Sequence, residues 1–136
     1  MVTDLFNFIS DEKFRVSLEN DFGELEKRMK AEAWKAVHVL AGSVVETLLI
    51  DYLMVTEYEK RSPQKISKLN LYQIIEICKE EQVLSNKAAD LAHAIREYRN
   101  LIHPEKLRRL EETTDENGAI IAQALVKMVI DGISTR

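Results

Sequence analysis

The stretch Val37-His-Val-Leu-Ala-Gly-Ser-Val-Val-Glu-Thr-Leu-Leu-Ile-Asp-Tyr-Leu53 decides the fold of this chain. Wound at about 3.6 residues per turn, it is apolar on nearly every side. A helix of that kind must be wrapped by other elements. His38, Ser43, Glu46 and Asp51 interrupt it, whereas a membrane span needs about 18 or more consecutive apolar residues. The stretch therefore reads as the central, most buried helix of a soluble bundle, covering about residues 31–57, and no membrane is expected.

The flanking sequence supplies its packing partners. Upstream, Ser10 is a plausible N-cap followed by acidic Asp11 and Glu12, which suit a helix N-terminus. A first helix to about residue 30 carries Phe14, Leu18, Phe22, Leu25 and Met29 on one face. Gly23 is tolerated there at a cost of about 1 kcal/mol. Downstream, residues 58–68 contain Ser62-Pro63 and several charges and read as a loop. Asn70 can cap a third helix, 71–81, with Leu71, Ile74, Ile75 and Cys78 inward. Ser85 can cap a fourth, 86–102, which Pro104 ends because the residue before proline is pushed out of helical geometry. Residues 105–114 are charged and read as irregular or briefly helical. Thr113 with Glu116 resembles a capping box for a last helix, 116–131, packed on the central one. No stretch reads as a strand. The expected fold is all-α: an up-and-down helical bundle of four to five main helices, with residues 1–136 forming a single domain.

Composition agrees. The 136 residues are 46% hydrophobic and 31% charged, with only four Gly and two Pro, so long helices are expected. Cys78 lies in an apolar run and reads as a buried, reduced thiol, which suits a cytoplasmic protein. The N-terminus has no basic region followed by a long apolar stretch, hence no signal peptide is expected. A net charge of −4 argues against a general nucleic-acid coat. Yet Arg96, Arg99, Lys106, Arg108 and Arg109 fall close together, which allows a local basic patch.

The chemistry concentrates on the fourth helix. At about 100° per residue, with Arg96 at zero, Arg99 lies at roughly −60°, Asn100 at about +40° and His103 at about −20°. The opposite sector holds Leu91, Ala94, Ile95, Tyr98, Leu101 and Ile102. Ala89 and Ala92 lie on the polar side and would let another backbone approach. A charged stripe opposite an apolar one is also what any solvated helix shows. This stripe, however, selects Arg, Asn and His, and His103 sits at a helix C-terminus that favours its charged form. His38 reads as a satisfied structural histidine and His93 as a surface residue. Trp34, Tyr52 and Tyr98 read as packing. Glu46, on an otherwise apolar helix, needs a partner, for which Arg96 or Arg99 is the candidate.

The run Arg96-Glu-Tyr-Arg-Asn-Leu-Ile-His103-Pro104 resembles the signature of HEPN domains, small helical bundles with an Arg, four to six residues, then a His. Arg96 fits that spacing; Arg99 stands too close to His103 and is read as a helper. Val39-Leu-Ala-Gly-Ser-Val-Val-Glu46-Thr-Leu-Leu and Leu69-Asn-Leu-Tyr-Gln-Ile-Ile are similar to the second and third helices of that family. The resemblance implies a metal-independent endoribonuclease of a toxin–antitoxin or phage-defence system. It further implies a homodimer with a composite Arg/His cleft, RNA or a nucleotide as ligand, and an antitoxin or nucleotidyltransferase as partner. In that reading Arg96, His103 and Asn100 are catalytic, Arg96 and Arg99 hold phosphate, Glu46 supports them, and no metal or cofactor is needed. Two other readings stay open: a non-catalytic HEPN-like module that binds a phosphate-bearing ligand or a partner protein, and a bundle without a site.

Overall fold

The computed structural model of the chain describes residues 5–99 and 115–135, with the backbone alone at 98 and 99. Among the described residues there are six α-helices and no strand. The first helix, α1 (Glu12–Lys30), is capped by Asp11 rather than Ser10: its carboxylate accepts from the Phe14 N–H at 2.9 Å. Its inward stripe is Leu18, Phe22 and Leu25, all buried.

The second helix, α2 (Trp34–Val55), is central as the sequence predicts, packing against α1 and against the three later helices Leu71–Glu80, Asn86–Arg99 and Glu116–Ser134. By length and mean hydropathy (1.5) it would suffice to cross a membrane. In the bundle 61% of that stretch is buried, with Val37, Ala41, Val44, Leu48, Leu49 and Leu53 fully so, while Val39, Met54 and Val55 stay exposed. Each large side chain so buried contributes about 1.5–3 kcal/mol.

The expected loop at 58–68 holds a short helix, α3 (Tyr58–Arg61), and a 3-10 turn, Ile66–Lys68. Arg61 makes two hydrogen bonds to Glu81, the shorter 2.7 Å, and Tyr52 donates to the same carboxylate at 2.9 Å. That cluster ties the end of α2 to the end of α4 (Leu71–Glu80). Asn70 and Gln73 form a reciprocal capping box at the start of α4. After α4 the chain turns sharply through Gln82 at φ 63°. The N–H groups of Val83 and Leu84 both bond the Cys78 carbonyl, at 3.0 and 3.2 Å. Ser85 then caps α5 (Asn86–Arg99) through the Ala88 N–H at 3.0 Å. Cys78 is fully buried, and burial pushes its thiol pKa up to about 12. The last helix, α6 (Glu116–Ser134), is capped by Asp115, which accepts from the Gly118 N–H at 2.7 Å. The cap expected from Thr113 lies outside the described residues.

One expectation is overturned. Ala89 (0% exposed) and Ala92 (3%) do not line a free face for a second copy of the chain; they are core residues. Ala88 and Ile95 share their burial, while Ala94, expected inside, is exposed. The inward sector of α5 is centred near roughly −50° from Arg96, about 100° away from the sector that side-chain polarity marks. The alanines do permit close approach, but to the chain's own helices, since α5 packs on α2, α4 and α6. Arg96 consequently lies at the edge of the buried face and is half-buried.

Candidate functional site

Helices α4 and α5 form an antiparallel hairpin, so the first turns of α4 lie beside the last turns of α5. Tyr72 and Glu76 are four residues apart on α4, and His93 and Arg96 three apart on α5. Each pair shares a helix face. Packing brings the two faces together. His93 Nε2 lies 2.7 Å from Glu76 Oε2. With Glu76 ionised, that nitrogen carries the hydrogen and donates it. The His93 hydrogen bond holds the Glu76 carboxyl below its ordinary value. The imidazole also stacks on Tyr72, with ring centroids 4.8 Å apart and planes tilted by 32°. The Arg96 guanidinium carbon lies 5.3 Å from the centroid of the same tyrosine ring.

The electrostatics of Arg96 set it apart. Its Nε is buried and has no hydrogen-bond partner. No carboxylate among the described residues pairs with it. Contact with an aromatic face is worth about 0.5–2 kcal/mol. That does not replace an anion for a group with five N–H donors, and a half-buried cation without one is costly. Among the described residues Arg28 and Arg61, by contrast, are paired at 2.7 Å with Glu24 and Glu81. Tyr72, at 51% exposed, leaves about half of its surface open beside Arg96.

Of the residues singled out from the sequence, Arg96 occupies this cluster. Arg99 is the last residue of α5, and its side chain, like Asn100 and His103, lies outside the described residues. Glu46 is half-buried on α2, and Arg99, one of its two expected partners, has its side chain outside the described residues. Glu46 lines a groove of about 690 Å3 with Ile50, Leu53, Met54, Ile66 and Ile74. His38 is buried against the start of α6, beside Asp115 and Gly118, and burial lowers its pKa. Trp34 and Tyr52 pack in or against the core as expected. His93 is not the surface residue its position suggests: only 20% of its side chain is exposed, and its Nδ1 is buried without a partner. Tyr72 and Glu76 escaped the sequence reading because the signal that finds them, i,i+4 on one helix facing i,i+3 on the next, exists only once the hairpin is paired.

Among the described residues no group of three or more His, Cys, Asp or Glu is placed to hold a metal ion. Comparison with protein families, curated proteins and solved structures returns no match for the chain.

Proposed function

We propose that this chain is a HEPN-like protein that handles RNA phosphodiesters and cleaves them without a metal, with Arg96 as the phosphate clamp. The observation that carries the reading is the half-buried Arg96 guanidinium, held against Tyr72 with its Nε unpartnered and, among the described residues, no carboxylate paired with it. A guanidinium kept in that state meets its missing acceptors in a bound phosphate, which it can engage through two parallel N–H···O bonds. Charge building on the phosphate oxygens is then stabilised where it develops. His103 is the acid–base residue: its imidazole takes the proton of the ribose 2′-OH as that oxygen attacks phosphorus and the 5′ oxygen departs. A proton is then returned to the leaving oxygen by the second imidazole of a dimer or by water. The products are a 2′,3′-cyclic phosphate and a 5′-hydroxyl. Asn100 and Arg99 assist, and the setting proposed is a cytoplasmic toxin–antitoxin or defence system with a neutralising partner.

A specific observation favours a second reading, a phosphate-binding module that does not cut. The one described imidazole near Arg96 offers no open nitrogen, since His93 Nε2 is bonded to Glu76 and Nδ1 is buried. Cleavage therefore depends on His103. The test is incubation of purified protein with single-stranded RNA in EDTA. His103→Ala should slow cleavage by about 10²–10⁴-fold, and Arg96→Ala comparably, with helical circular dichroism unchanged. Binding without cleavage in the unmodified chain selects the module. Cleavage that survives both substitutions refutes the site.

A further inference from the structure

The part of the hairpin site that phosphate clamping leaves unexplained is Tyr72. Among the exposed large hydrophobic side chains of the described residues it alone is aromatic, at 51%, yet its ring is not loose. His93 stacks on it at 4.8 Å, Arg96 lies 5.3 Å from its centroid, and the 2.7 Å His93–Glu76 bond fixes His93 in turn. Because Tyr72 is in the first turn of α4, its backbone is further held by the Asn70–Gln73 capping box. A surface tyrosine that only filled space would need neither a stacked imidazole nor a bound carboxylate behind it. A rigid, half-open aromatic ring beside a guanidinium that no carboxylate among the described residues pairs with matches what a single-stranded nucleotide presents: a planar base and, one backbone linkage away, a phosphate. Base–aromatic stacking tolerates any sequence because every base has a π-face, and RNA recognition favours unstacked bases on aromatic and arginine planes.

We infer that Tyr72 is the stacking platform for one unpaired nucleobase whose neighbouring phosphate is held by Arg96. His93 and Glu76 are positioning residues that hold the platform. This inference rests on the proposed phosphate role of Arg96. It goes beyond that role in naming the residue on which the base is stacked.

The test measures binding to the intact chain of three probes: a fluorescein-labelled 2′-O-methyl oligouridylate strand, which lacks the attacking hydroxyl; a duplex of the same backbone; and inorganic pyrophosphate. Tyr72→Leu should weaken binding of the single strand by about 5- to 150-fold, the range for a lost stack, and leave pyrophosphate binding unchanged. Tyr72→Phe should bind both as the unmodified chain does. Arg96→Gln should weaken both, and the duplex should bind poorly throughout. If Arg96→Gln loses both probes while Tyr72→Leu loses neither, the platform is refuted and the phosphate site stands. If Tyr72→Leu loses pyrophosphate as well, Tyr72 only positions Arg96 and the platform is again refuted. Equal affinity for duplex, whose bases are already stacked on one another, likewise refutes the platform. Binding of none of the probes by the unmodified chain overturns the Arg96 reading and the platform together.

Discussion

Two glycines on different helices give opposite expectations for the same substitution. A Cβ added at Gly132 on α6 would sit 2.5 Å from the backbone carbonyl oxygen of Val83, against 3.4 Å or more for an ordinary contact, so about 0.9 Å must open. The obstacle is backbone, and it is pinned: Val83 and Leu84 both bond the Cys78 carbonyl, and their side chains are buried. Overpacking of that kind costs about 1–3 kcal/mol, or more where backbone must move. The helix-propensity gain of Gly→Ala, about 1 kcal/mol, offsets part of it. Because the obstacle is pinned backbone, the upper part of that range applies, about 2–3 kcal/mol, and Gly132→Ala should destabilise by about 1–2 kcal/mol net. Gly23 on α1 has nothing within 4 Å of its virtual Cβ, so Gly23→Ala should stabilise by about 0.5–1 kcal/mol. With an unfolding entropy of about 2.1 cal/mol/K per residue, 1 kcal/mol corresponds to roughly 3–4 °C in a chain of 136 residues. Thermal unfolding followed by circular dichroism should raise the midpoint by roughly 2–4 °C for Gly23→Ala and lower it by roughly 3–7 °C for Gly132→Ala. A Gly132→Ala variant as stable as the parent would refute the close approach of α6 to the α4–α5 turn. With it would go the account of how the hairpin bearing Tyr72 and Arg96 is held on the bundle.

Two buried ionisable groups on α2 add pH-dependent expectations. Asp51 is 4% exposed, and burial, with Asp11 nearby, raises its pKa above 3.8. A carboxyl that is harder to ionise when folded costs stability as pH rises through its folded pKa. Asp51→Asn should thus raise the urea midpoint at neutral pH, with the gain disappearing below about pH 3.8; an unchanged midpoint at pH 7 would count against it. His38 is the opposite case. Burial lowers its pKa from 6.5, so the unfolded chain binds its proton first and stability falls as pH drops below 6.5 toward the folded value. His38→Gln should flatten that part of the stability–pH curve, and a curve of the same slope in both proteins would show that another group is responsible.

Local physics made most of the fold legible from the residues alone. The all-round apolar run at 37–53 has nowhere to go but the centre of a bundle. Asn70 and Ser85 cap the helices that follow them because their side chains reach only their own first turns. These are short-range facts, decided within a few residues. The orientation of α5 is different in kind. Polarity placed Ala89 and Ala92 on the outer face, but burial depends on how closely two backbones can approach, and alanines allow α5 to sit against the other helices at that point. Rotation of the helix follows from that contact and carries Arg96 to the rim of the core. Arg96 itself could be picked from the sequence, by residue type and by its spacing to His103. Its surroundings could not be. Tyr72 lies 24 positions earlier in the chain and Glu76 lies 17 before His93, and nothing in either residue's own neighbourhood marks it. Only the antiparallel pairing of α4 with α5, set by the tight turn at Gln82 to Ser85, places ring, carboxylate, imidazole and guanidinium side by side.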